Sequence, residues 1–188
     1  MSFINLTSED QNCLLKTAKD SIIYGLEQQR FLPVDLNQFS ALLQTHGASF
    51  VTLHLNKNLR GCIGTLEAYQ PLITDISEHA YAAAFQDPRF PSVSADEIPE
   101  LEISISILTA AEPVRFVSEA DLLKQLQPGI DGIILQAGPH KATFLPSVWE
   151  QLPSTEEFLN HLKIKAGLNM SDWPENLSIS RYRTINLK

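Results

Sequence analysis

Leu14, Ala18, Ile22 and Leu26 recur every four residues, and Leu15 and Ile23 widen the same apolar stripe, so the chain opens with a helix that Thr7 can cap. Pro33 interrupts, and Leu36 to Leu43 reads as a second, short helix. At "ASFVTLHLN" the period drops to two, "NKN" turns, and "LRGCIGTL" returns as the second strand of a hairpin. "PLITDISEHAYAAAF" predicts a helix with Pro71 in its first turn, where the missing N–H costs nothing. A proline-punctuated loop, "QDPRFPSV", leads to a capping box from Ser94 to Glu97. "LEISISILT" then places Leu101, Ile103, Ile105 and Ile107 on one face of a strand.

The second half continues the mixture. Asp121 to Leu126 reads as helical and ends at Pro128 and Gly129. "GIILQA" and "ATFLP" form a hairpin through "GPHK", and Ser154 with Glu157 opens a helix that stops at Gly167. "LSISRYRTINL" alternates as one closing strand. The strands come as hairpins and not as regular βαβ units, so the expected class is α+β, an antiparallel sheet covered by helices.

Composition narrows the function classes. A chain of 188 residues, 44% hydrophobic and 19% charged, suits one packed domain, 1–188. A formal net charge of −8 argues against a general nucleic-acid binder, which needs a basic face against phosphate. Lys163, Lys165, Arg181, Arg183 and Lys188 read as a solvated rim. Two cysteines do not make a secreted disulfide scaffold, the N-terminus has no signal-peptide pattern, and no apolar run is long enough for a membrane span. A reduced, cytoplasmic setting is the expectation. No His/Cys spacing of a metal site and no phosphate-cradling loop is present, so neither metal nor cofactor is expected.

The hairpin carries the candidate chemistry. Keeping Val51, Leu53, Leu55, Leu59 and Ile63 on the core face requires an odd loop, which Asn56-Lys57-Asn58 supplies. That register sets Leu55 opposite Leu59, His54 opposite Arg60, Leu53 opposite Gly61 and Thr52 opposite Cys62. Arg60 and Cys62 then share a face about 6.6 Å apart, with His54 on the diagonal. An arginine favours a thiolate over a thiol, and a histidine at that range serves as base or acid. Gly61 and Gly64 imply a close approach to the backbone. Against this stands the ordinary use of a strand cysteine as a small buried hydrophobe, with the glycines making room for a helix.

"LRGCIGTLEAYQPL" followed by "EHAYAAAFQDPRFPSVSADEIPELEISISILT" resembles the AMMECR domain family, protein A of the AmmeMemoRadiSam system. The resemblance continues through "DGIILQAGPHKATFLPSVWEQLPSTEEFLNHLKIKAGL", covers nearly the whole chain and implies a stand-alone member. It further implies an α+β fold of two unequal lobes with a cleft between them, and a functional link to a Memo-like protein and a radical-SAM protein. It brings no settled reaction. The signatures fall on Leu59 to Gly64, on Asp87 to Pro91, on Asp131-Gly132 and on Thr143 to Pro146, with His79 between the first two.

Two readings follow. In one, Cys62 is a nucleophile, Arg60 steadies its thiolate or a bound anion, His79 or His54 moves protons, and Asp87, Arg89, Gly61 and Gly64 line the site. Paired guanidinium forks suit an anionic small molecule. In the other, the chain is a non-catalytic binding or scaffold module. There the arginines pair with carboxylates such as Glu67, Asp87 or Glu102, and His79 is satisfied on its helix.

Overall fold

The computed structural model describes residues 6–188. It runs as α1 (Ser8–Gln28), β1 (His46–Gly47), β2 (Ser49–Leu55), β3 (Asn58–Gly64), β4 (Gln70–Pro71), α2 (Leu72–Phe85), β5 (Glu102–Leu108), β6 (Glu112–Val114), α3 (Glu119–Gln125), β7 (Gly132–Ala137), β8 (His140–Phe144), α4 (Thr155–Lys165), β9 (Ser178–Tyr182) and β10 (Thr184–Leu187), with short 3-10 turns between. The α+β class read from the sequence is the one observed. Two compact units divide the chain: Met1–Leu108 with Ile185–Lys188, and Thr109–Thr184.

In unit 1 the main sheet has the order β10-β5-β2-β3, and β2 pairs antiparallel with both β5 and β3. Val51, Leu53, Ile105 and Ile107 point from it into a core shared with Leu14, Ala18 and Ile22 of α1 and with Ile73, Ile76, Ala80 and Ala83 of α2. Thr7 caps α1 in a reciprocal box with Asp10, so the first helix begins where the sequence places it. The expected helix over Leu36 to Leu43 is reduced to a 3-10 turn, Leu36–Gln38, capped by Asp35. Ser40 leaves the helical path and donates to Asp10 Oδ1 at 2.7 Å.

Unit 2 has the sheet order β6-β9-β7-β8, with Ile133, Leu135 and Ile179 packed on Phe158, Leu159 and Leu162 of α4. Trp149 stacks on Phe158 with ring centroids 3.6 Å apart. The single closing strand expected from "LSISRYRTINL" is two strands. β9 belongs to the sheet of unit 2 and β10 to that of unit 1. The break falls at Arg183, whose N–H donates to Thr109 Oγ1 and whose carbonyl accepts from Thr109 N–H, both at 2.9 Å.

The β2–β3 hairpin differs instructively from its expected register. Its loop has two residues, Asn56 and Lys57, both at positive φ (50° and 65°), and Leu55 faces Asn58. His54 therefore faces Leu59 and not Arg60. A bulge at Arg60 absorbs the extra residue, and from there Leu53 faces Gly61 and Thr52 faces Cys62, as expected. A three-residue loop and a two-residue loop plus a bulge have the same length, so the far end of the hairpin is right either way. The difference is that Arg60 becomes the bulged residue.

At Gly61 helix and sheet approach closely. A Cβ built there would lie 2.1 Å from the Ala83 carbonyl oxygen of α2. The close approach inferred from this glycine is thus made by the protein's own helix. Gly61→Ala is expected to destabilise the fold by about 2 kcal/mol or more, since backbone cannot yield as a side-chain end can. Gly129→Ala, with open space around it but φ of +77°, should cost only about 1 kcal/mol. Urea midpoints of the two variants check this ordering.

Candidate functional site

β3 is an edge strand, and the backbone of Cys62 turns away from β2. Its N–H donates to Asp87 Oδ2 at 2.9 Å, and its carbonyl accepts from Arg89 Nη2 at 3.3 Å. Arg89 closes on the same carboxylate with Nε to Oδ1 at 2.9 Å and Nη2 to Oδ2 at 2.7 Å, and its own N–H donates to Oδ1 at 3.1 Å. The Asp87 side chain is only 2% exposed while that of Arg89 is 54% exposed. Four donors around one buried carboxylate hold its pKa well below the ordinary carboxylate range, chiefly through the Arg89 fork.

Arg60 makes a second knot on the same segment. Its Nε donates to Glu97 Oε1 at 2.7 Å and its Nη2 to Glu97 Oε2 at 3.0 Å. The Pro91 and Ser92 carbonyls accept from Nη1 and Nη2 at 2.7 and 3.2 Å. Glu97 also accepts from the Ser94 N–H at 2.8 Å, completing the capping box seen in the sequence. The Arg60 fork, with help from Ser94, pulls the Glu97 carboxyl down to about 2. Arg60, the bulged residue, thus directs its donors to the 91–97 segment, and the Cys62 thiol is not among its hydrogen-bond partners.

Cys62 is half-buried, and its sulfur lies 3.1 Å from Thr52 Oγ1. Thr52 also faces Ser104 on β5, so Cys62, Thr52 and Ser104 form a short polar row across three strands, on the sheet face opposite the α1–α2 core. No histidine enters that row. His54 lies beyond the bulge, between Leu59 and Glu102. His79 is buried on α2, with Nδ1 3.2 Å from Asp75 Oδ2. Gly64 makes room for Ser49 and Phe50 of β2, where a Cβ would come within 2.3 Å of the Ser49 carbonyl oxygen.

The remaining signatures build unit 2. Gly132 accommodates the Tyr182 ring, 2.5 Å from where a Cβ would be. The Tyr182 hydroxyl lies 2.9 Å from the Thr143 hydroxyl and donates to the Phe144 carbonyl at 3.2 Å, and burial pushes its phenol up to about 12. The Asp131 carbonyl accepts from Trp149 Nε1 at 2.7 Å. A groove of about 740 Å³ lies within unit 2, lined by Phe116, Val117, Trp173 and Pro174 among others, and contains none of the signature residues. Among the described residues, no three His, Cys, Asp or Glu side chains gather as a metal site, and no helix is long and apolar enough to cross a membrane.

Two features escaped the sequence reading. Glu97 as partner of Arg60 was hidden by its more visible role in a capping box. Ser49 and Asp75, which join His79, are polar residues at inward positions of β2 and α2, and that misfit with the apolar pattern was the available signal.

The AMMECR1 family model matches residues 15–187. A Methanothermobacter thermautotrophicus protein is 35% identical over 173 residues, covering 89% of this chain and 88% of the relative. Protein MJ0810 of Methanocaldococcus jannaschii is 38% identical over 141 residues, 71% of this chain and 68% of its own. The crystal structure of the uncharacterized protein PH0010 from Pyrococcus horikoshii superposes with a TM-score of 0.88 at 28% identity, covering 98% of this chain and 93% of that one.

The two carboxylates give a pH dependence of defined sign. Glu97 falls from 4.5 to about 2 on folding, so its stabilisation is whole above pH 4.5 and is lost as pH falls toward 2. Asp87 acts in the same direction. Glu97→Gln should cost about 2 kcal/mol at neutral pH and flatten the acid limb of the stability profile. Denaturation midpoints between pH 7 and pH 3 test this; an unchanged acid limb in the variant would contradict it.

Proposed function

The chain belongs to the AMMECR1 family, and on that footing we propose that it is a binding module whose signature stretches are structural, not an enzyme with a cysteine nucleophile. The observation that carries this reading is how the two signature arginines are used. Arg60 spends its fork on Glu97 and two backbone carbonyls, and Arg89 spends its fork on Asp87 and the Cys62 carbonyl. Nucleophilic cysteine catalysis needs a base within hydrogen-bond reach of the sulfur, and the sulfur's polar neighbour here is a hydroxyl. Asp131, Gly132 and Thr143 likewise have internal roles.

A module of this kind acts through partners. The Memo-like and radical-SAM proteins that the family resemblance implies are the ones to try, in the reducing cytoplasm to which two unpaired thiols, Cys13 and Cys62, are suited. A second reading keeps an anionic small molecule. Of the two signature arginines Arg89 is the more exposed, and a guanidinium anchored on one edge can still offer its Nη1 donors to a carboxylate or phosphate.

Alkylation of the folded protein by iodoacetamide, with Cys62 read by peptide mass spectrometry, separates module from enzyme. Cys62 should react no faster than glutathione at neutral pH. Cys62→Ser should leave association with the Memo-like or radical-SAM protein unchanged, whereas Asp87→Ala, which opens the strand edge, should weaken it. A Cys62 rate more than about tenfold above glutathione, as an activated thiolate gives, would overturn the proposal.

A further inference from the structure

Between α2 and β2 lies a second polar cluster that the signatures do not use. Asp75, fully buried in the first turn of α2, accepts from Ser49 Oγ through Oδ2 at 2.6 Å. The same Oδ2 lies 3.2 Å from His79 Nδ1, one helical turn on, close enough for an ion pair but out of line for a full hydrogen bond. Asp75 Oδ1 and His79 Nδ1 are both sealed from solvent without a hydrogen-bond partner. Buried polar atoms are rarely left so, and a cluster of them calls for an explanation beyond packing. A carboxylate with one good hydrogen bond is costly to bury, though the positive end of α2 offsets part of that cost.

The arrangement makes sense as a device for presenting the other end of the ring. A carboxylate 3.2 Å from Nδ1 favours the proton on that nitrogen, and in the neutral ring that arrangement leaves Nε2 with its lone pair. Nε2 is not among the sealed atoms, and the His79 side chain keeps 8% exposure. On the same half of α2, Gln70 Nε2 donates to Glu78 Oε2 at 2.7 Å and to the Tyr69 hydroxyl at 3.1 Å. Burial together with the charges of Glu78 and Asp75 pushes the Tyr69 phenol up, so the field of the buried carboxylate reaches that cluster. The charged groups identified around this end of α2 are negative.

We propose that His79, oriented by Asp75 and Ser49, is a ligand-binding residue that presents Nε2 as a fixed acceptor to a neutral or cationic donor group, a hydroxyl or an ammonium. Anions are disfavoured there by Asp75 and Glu78. The site is independent of the binding-module reading, since it holds whether or not Cys62 reacts.

Histidine-labelled ¹⁵N NMR of the full chain tests it. The five histidines are resolved by tautomer, with the His79 signals assigned through His79→Gln. His79 should be the Nδ1–H tautomer, with Nε2 of the unprotonated type; His140, whose Nδ1 is 2.9 Å from the Ala166 carbonyl, serves as internal reference. Asp75→Asn should replace the single tautomer by a mixture. Methylammonium chloride should shift the His79 Nε2 signal and sodium acetate should not. Diethylpyrocarbonate on the wild-type chain, mapped by peptide mass, gives a readout that no variant's folding can spoil, and it should modify His79 in the native state. An Nε2–H tautomer, modification of His79 only after unfolding, or a Nε2 shift with acetate or with neither salt would overturn the assignment.

Discussion

A strand at the edge of a sheet leaves alternate N–H and C=O groups without a neighbour, and unpaired backbone of that kind either finds partners or invites another chain to pair. β3 ends the sheet of unit 1, and at Cys62 the missing neighbour is replaced by two side chains. The Asp87 carboxylate takes the N–H and the Arg89 guanidinium serves the carbonyl, which is what a further strand would have offered. Arg60 then ties the following segment down through Glu97, Pro91 and Ser92. With the 87–97 segment held at the edge, Val93 N–H can reach the Ala84 carbonyl at 2.9 Å, and the end of α2 is set against Gly61.

The same geometry surrounds the thiol. Cys62 sits on the strand edge that Asp87 and Arg89 close, and its side chain lies against the Thr52 hydroxyl. Each of these arginines has a carboxylate against it, and the opposite charge offsets part of the guanidinium's field at a neighbouring sulfur. A spacing that reads as a catalytic pair in one dimension therefore becomes two separate carboxylate–arginine locks in three. The histidine with the more developed surroundings is His79, on the opposite, helix-covered side of the sheet.

Much of the fold was legible because long periodic segments dominate it. α1 with its Thr7 cap, the Pro71 helix, the Ile-rich β5 and the Ser94–Glu97 box all appear where their patterns put them. The errors fall where pattern is silent. Alternation continues smoothly through "LSISRYRTINL", so nothing in it marks the change of sheet at Arg183. A loop of three and a loop of two plus a bulge conserve residue count, so hydrophobic pattern could not choose between them. That choice redirected Arg60. Asp87 with Arg89 was readable because they are neighbours in sequence, whereas Arg60 with Glu97 spans 37 positions and required the fold.

Hydrogen exchange at the Cys62 amide bears most directly on whether side chains close this edge. The N–H faces away from β2, yet with Asp87 as acceptor it should be protected like amides inside the sheet, and Asp87→Ala should speed its exchange by about tenfold or more while the amides of unit 2 stay unchanged. A Cys62 amide that exchanges as fast as an open loop in the wild-type protein, or one indifferent to the loss of the Asp87 carboxylate, would contradict the account.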